Sequence, residues 1–456
     1  MDQNRSFLRV AVALVIALIG CVTIWVVVPY NNFALDNTYI SDSYLPEIVI
    51  GLLLGLVLLV NPLLRLVGAS MMLDRRQLAL ICSLMLFAAI VPSNGLMRMF
   101  PRFVAQMNQD FNSRPATTRI AVDEQFPQQL FPDPLPTRGE DGSIKTVETP
   151  ISDQFIDELN PGESVPWSSW FGPMALWGIF ILGMWMMMLG LGGVVFPQWR
   201  DRERLPFPLL NVYQSLTGTL DEPSDRTLPA VFYSKGFWVA CGVVFFIHGL
   251  RGLNVFTDAF PSFPLSWNLS EYFQEGVFRH ATSTLKSHSI FFSIIGVAYF
   301  IPNRYAVSVW GWVLMFAVYA TFGSAYLPSF NGGQQVGGLA FGALFAIAIW
   351  VLWLGRGHWV LVGRAMLGRD RGTPENSRDR IAGWMFAIGC AVMILWLNWA
   401  GCELWWSIVA TATAAIIALL MARIIAETGI PVLWMNRFQL TGVVALFPLS
   451  WQSPST

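Results

Sequence analysis

Runs of apolar residues about the length of a membrane crossing alternate along this chain with polar connections. Carrying a helix through roughly 30 Å of hydrocarbon takes about 20 mainly apolar residues, and a helix is used because peptide groups left unpaired in lipid are costly. Ten stretches fit, near residues 7–28, 46–64, 78–97, 168–196, 236–256, 288–302, 304–323, 337–355, 381–399 and 404–427. The pattern predicts an all-α fold, a polytopic transmembrane helix bundle of about ten spans, with a long extracytoplasmic loop between spans three and four. The expected divisions are residues 1–97 with three spans, the loop 98–166, and residues 167–456 with seven spans, amphipathic cytoplasmic segments and a C-terminal tail. Stretch 288–302 is short and bounded by His288 and Pro302, so it reads either as a short span or as half of a re-entrant hairpin.

Positive residues in short loops stay cytoplasmic, so the Lys and Arg positions test the spans independently. With the N-terminus inside, nineteen of the twenty-eight basic residues fall in cytoplasmic segments, among them Arg364, Arg369, Arg371, Arg378 and Arg380. Counting 288–302 as a crossing keeps that arginine-rich loop inside. Both termini are then expected in the cytoplasm of a prokaryotic cell, with the chain in the inner membrane. The 98–166 loop carries eleven acidic residues and a Pro-punctuated centre at 131–136, and reads as a solvated cap with helical ends and an extended or flexible middle. Residues 199–216 and 358–367 read as amphipathic cytoplasmic helices at the interface.

Composition agrees. Hydrophobic residues make up 54% and charged residues 12%, about half the charge of a soluble domain. A net charge of -1 excludes a nucleic-acid binder. The five Cys form no CxxC pair, and His248, His280 and His288 have no ligand spacing, so neither metal nor cofactor is expected. No nucleophile and base can be paired by spacing, and no enzyme is expected.

Three constellations remain. After span four, dense alternating charge through Arg204 leads into Leu205, Pro206, Phe207 and Pro208; two prolines around an aromatic make a stiff turn, read as a hinge or re-entry. At the end of the last span, Arg423 and Glu427 stand four residues apart on one helix face, before a break at Gly429 and Pro431. A charge pair in or near the membrane is a candidate for substrate or proton coupling, against a plainer reading in which Arg423 reaches the headgroups. Between spans seven and eight, Asn331, Gln334 and Gln335 lie among four glycines within 331–338, either a flexible turn or polar contacts for a peptide-like or zwitterionic ligand.

The run from Gln198 to Pro208, with Leu205-Pro206-Phe207-Pro208 following acidic and basic residues, resembles the signature of the oligopeptide transporter and yellow stripe-like superfamily. The whole chain is similar to a group of uncharacterised prokaryotic membrane proteins that look like distant relatives of those transporters. Further matching stretches are Asn61-Pro62-Leu63-Leu64-Arg65, residues 92–95 and residues 422–431. The chain departs from the superfamily in carrying Leu209, Leu210 and Asn211 where those transporters have small residues, and in having fewer spans. The resemblance implies a secondary-transporter-like permease for a small peptide-like or zwitterionic solute. The alternative is a non-transporting subunit that anchors or braces a membrane complex. Expected partners are the lipid bilayer, with other membrane subunits or a homo-oligomer left open, and no nucleic acid.

Overall fold

The computed structural model describes residues 2–68, 71–157, 159–218, 227–261, 263–329, 333–369 and 374–433. Asn331, Gly332, Arg371 and the tail from 434 onward lie outside them. In chain order the helices are α1 (Asp2–Pro29), α2 (Glu47–Gly55), α3 (Asn61–Val67), α4 (Arg75–Ile90), α5 (Phe100–Ser113), α6 (Pro115–Glu124), α7 (Pro150–Asp157), α8 (Trp167–Pro197), α9 (Pro208–Thr217), α10 (Lys235–Phe256), α11 (Ser283–Lys286), α12 (Phe292–Ala298), α13 (Asn303–Tyr326), α14 (Gly333–Leu354), α15 (Arg356–Met366), α16 (Pro374–Trp399) and α17 (Leu404–Thr428). Two small antiparallel hairpins accompany them, β1 (Thr137–Arg138) with β2 (Ile144–Lys145), and β3 (Ser266–Asn268) with β4 (Ser287–Ser289).

Among the described residues nine helical segments are long and apolar enough to cross a membrane, and the chain is a multi-pass integral membrane protein. They match nine of the ten expected spans. The exception is 288–302, where β4 gives way to the seven-residue α12. At 1.5 Å per residue such a helix covers about 10 Å, a third of the hydrocarbon thickness. Residues 199–216 also differ from expectation. A π-helical turn ends at Arg202, and α9 begins only at Pro208, because the two prolines keep the intervening chain out of a helix.

The described chain forms two compact units. In the first (Met1–Leu96, Pro206–Gln335, Ile424–Leu433), α1 and α4 run side by side in the same direction. Gln77 Nε2 donates to Arg9 O at 2.7 Å, and Trp25 Nε1 donates to Ala88 O at 3.0 Å. Asp74 and Gln77 form a reciprocal capping box that starts α4. Ile24, Leu53, Ile81 and Met85 fill the core between α1, α2 and α4. Asn61, buried where a π-helical turn interrupts α2 and α3, accepts a hydrogen bond from Leu73 N at 2.7 Å.

The second unit includes Met97–Leu205 and Val336–Arg423. Here α8 and α16 pack antiparallel along most of their length. A Cβ added at Gly183 would stand 2.7 Å from Val392 Cγ1, one at Gly193 would stand 2.9 Å from Ala382 Cβ, and the Trp177 and Trp396 ring centroids lie 4.5 Å apart. Small residues let the backbones approach, which matters because lipid supplies no hydrophobic drive for helices to associate. His358 on the first turn of α15 is buried and hydrogen-bonds Val194 O at 2.7 Å, so the start of α15 lies at the C-terminal end of α8.

The 98–166 excursion is a folded cap. Phe111, Leu130, Phe131 and Leu135 join Trp170 and Trp396 in one apolar cluster, so of the extended and flexible readings of the Pro-punctuated centre the structure has the extended one, packed. Asp133, 1% exposed, turns its carboxylate onto the start of α7, accepting from Ile151 N at 3.1 Å and Ser152 N at 2.7 Å. Asn108 Oδ1 accepts in turn from Asp133 N and from the Ser152 hydroxyl. In the β1–β2 turn the Ser143 hydroxyl and amide hold the Asp141 carboxyl below its ordinary range.

Two substitutions test this packing. Gly183→Ile should destabilise the protein by about 1–3 kcal/mol through overpacking, while Gly178→Ile on the same helix, with nothing within 4 Å of its added Cβ, should be tolerated; thermal unfolding in detergent reads the difference. Asp133→Ala strands two buried N–H groups and should cost about 1–3 kcal/mol, with Asp133→Asn milder. Limited proteolysis should then cut within 98–166 first.

Candidate functional site

In the first unit the corner at Pro206, Phe207 and Pro208 docks against the broken end of α17. Phe207 is held in the left-handed region at φ +43°, and its N–H donates to Ala426 O at 3.0 Å. Pro208 occupies the first turn of α9, where a missing N–H costs nothing, and Asn211 Nδ2 returns to Pro206 O at 3.3 Å. On the other side α17 stops at Gly429, φ +65°, whose N–H bonds Ile425 O at 2.8 Å. Glycine is required twice here: the backbone is left-handed, and a Cβ would meet Pro208 Cβ at 2.5 Å. Beyond the break Pro431 O accepts from Tyr44 N at 2.7 Å, and the Tyr213 hydroxyl donates to Tyr44 O at 3.2 Å. Leu45, Leu209 and Val297 are buried together beside this corner, with Ile425 packed on them. Short α12 thus contributes Val297 to the place where α9 and α17 are interrupted.

In the second unit Arg423 is 4% exposed. Its Nη1 donates to Glu203, and its Cζ lies 5.4 Å from the Trp199 ring centroid and 5.5 Å from that of Trp350. Gln198 Nε2 reaches the other Glu203 oxygen at 3.3 Å, while Gln198 Oε1 is buried without a hydrogen-bond partner among the described residues. The cluster is a buried guanidinium beside two indoles, bonded to a carboxylate. Removing one partner of a buried ion pair is destabilising by about 3–5 kcal/mol.

Of the residues singled out in the sequence, Pro206, Phe207, Pro208, Gly429 and Pro431 come together in the corner. Arg423 is buried, and Glu427 is partly buried on the last turn of α17. Arg204 is exposed and supplies a left-handed turn, φ +52°. Gln334 and Gln335 stand on the first turn of α14, and Gln335 contributes to neither cluster. Spacing could not reveal Glu203, 220 residues from Arg423. Its one signal was an acid between Arg202 and Arg204 below a helix end. Tyr44, Tyr213, Trp199 and Trp350 gave no signal.

No curated protein and no solved structure matches the chain. Residues 2–455 match the model of a family described as "Family of unknown function (DUF6785)", and the chain belongs to that family.

Proposed function

We propose that this membrane protein is a secondary-transporter-like permease for a small peptide-like or zwitterionic solute. The observation that carries the reading is the corner in the first unit, where the broken end of α17, the Pro-bounded start of α9 and the approach to α2 exchange backbone hydrogen bonds. Unwound backbone is tolerated at membrane depth only where protein buries it or where it lines a water-filled path, and secondary transporters build solute and ion sites from interrupted helices of this kind. Glu427, partly buried on the last turn of α17 beside the break at Gly429, is assigned the coupling proton. The solute class rests on the resemblance of the 198–208 motif to the oligopeptide transporter superfamily. One observation favours the bracing subunit instead: α10 has no buried residue and leaves an apolar surface for lipid or a neighbour.

Ten crossings of a prokaryotic inner membrane, with both termini cytoplasmic, fit the second unit. Antiparallel packing puts the start of α16 at the C-terminal end of α8, and His358 puts the end of α14 there too. The chain between α8 and α14 must then cross an odd number of times. We take α10 and α13 as two of these crossings and assign the third to residues 257–302, by a path more complex than one helix.

Proteoliposomes bearing the wild-type chain should accumulate di- or tripeptides under an inward proton gradient, and Glu427→Gln should reduce accumulation at least tenfold. Gly429→Ala should lower both uptake and stability, by about 2 kcal/mol or more, from left-handed strain and the clash with Pro208. Absence of gradient-driven uptake by a folded wild type across amino acids and short peptides would hand the case to the bracing subunit.

For the topology, single cysteines at Gly276, Asn303 and Leu327 in a chain otherwise free of Cys decide the matter. An impermeant maleimide applied to intact cells should label positions 276 and 327 and spare 303. Labelling of 276 without 327 would remove the third crossing.

A further inference from the structure

We propose that the second unit holds one acyl chain of an anionic phospholipid in a groove between its helices, with the lipid phosphate held by arginines at the α15–α16 corner. The groove has a volume of about 560 Å³ and is walled by α8, α14, α15, α16 and α17. That volume falls within the roughly 300–1,000 Å³ typical of ligand sites. No charged or amide side chain lines it, and much of its wall is small: Gly363, Ala412 and Ala415 leave the space that larger residues would fill. An apolar cleft of this kind holds no ordered water, and leaving it empty forfeits dispersion contacts along every wall. In a bilayer the hydrocarbon at hand is a lipid tail.

The charge beside the groove selects which lipid. Arg364 follows the groove-lining Gly363 directly, Arg369 stands three residues after groove-lining Met366, and Arg380 lies about one helical turn before Gly383. All three arginines are exposed. Between positions 364 and 380 the sequence places five Arg against Asp370, Glu375 and Asp379, a positive surplus that suits a phosphate. Helix α15 is amphipathic, with His358, Val362 and Ala365 buried. Two indoles stand at the same corner, Trp359 in the groove wall and Trp384 donating to Met366 O at 3.3 Å, as expected at headgroup level. The groove lies wholly in the second unit, so this inference stands or falls apart from the transport reading.

The test uses the full chain, delipidated in detergent and incubated with dioleoyl phosphatidylglycerol or dioleoyl phosphatidylcholine, with binding followed by native mass spectrometry. One phosphatidylglycerol per chain should be retained at least tenfold more tightly than phosphatidylcholine. The surface variant Arg364→Gln/Arg369→Gln/Arg380→Gln should bring the two lipids level. A phosphatidylglycerol with a diazirine in its tail should crosslink to α16 and α17 around Cys390 and Ala415, a readout that needs no core substitution. Equal retention of both lipids by the wild type, an undiminished preference in the arginine variant, or adducts confined to helices outside the groove would each overturn the proposal.

Discussion

No water is available inside a bilayer to satisfy an unpaired peptide group, so each place where a helix stops at membrane depth must bring its own partner. This chain interrupts its helices repeatedly, and each interruption is answered by a specific bond. Asn61 ties the end of α2 and α3 to Leu73. The break after α4 is held by Asn94 N donating to Asp42 at 3.0 Å. Phe207 takes up a terminal carbonyl of α17, and Tyr44 takes up that of Pro431 beyond the break. The irregular segments are thus drawn to each other's exposed donors and acceptors.

The second unit answers a different constraint. Hydrophobic burial does not favour one helix pair over contact with lipid, so α8 and α16 associate through close backbone approach at Gly183, Gly193 and their neighbours. The cap formed by residues 98–166 is built as a soluble domain is, around Phe111, Phe131 and Trp170 with a buried polar network on Asp133 and Asn108.

Long spans were legible because length and hydropathy are local properties, and nine of the ten predicted stretches are long apolar helices. Residues 288–302, read either as a short span or as half of a re-entrant hairpin, hold β4 and the short α12, because a short apolar run between His288 and Pro302 has no periodicity that fixes its form. The centre of the cap was legible in part: the prolines within 131–136 forbid a helix without saying whether the extended chain is packed, and only the distant α7 shows why Asp133 is buried. At the candidate site, the prolines and glycines that stop helices were readable, as each carries its conformational rule with it. Their partners were not, since Tyr44 and Glu203 are ordinary residues whose roles arise from contacts with chain more than two hundred residues away.

Segments 203–208 and 423–431 meet in each unit in turn, and the register of those meetings explains the charge. Glu203 holds Arg423 in the second unit; Phe207 bonds Ala426 and Pro208 abuts Gly429 in the first. The contacts fall at 203, 207 and 208 on one segment and at 423, 426 and 429 on the other. Within the second unit, pulling Glu203 away from Arg423 would strip a buried cation of a bonded carboxylate, a loss of about 3–5 kcal/mol. Apolar side chains could seal the same space at less desolvation cost, but they would tolerate a slip in register. Fixing a unique register is the best-attested use of a buried ion pair, and Arg423 with Glu203 is such a pair between the end of α17 and the turn after α8.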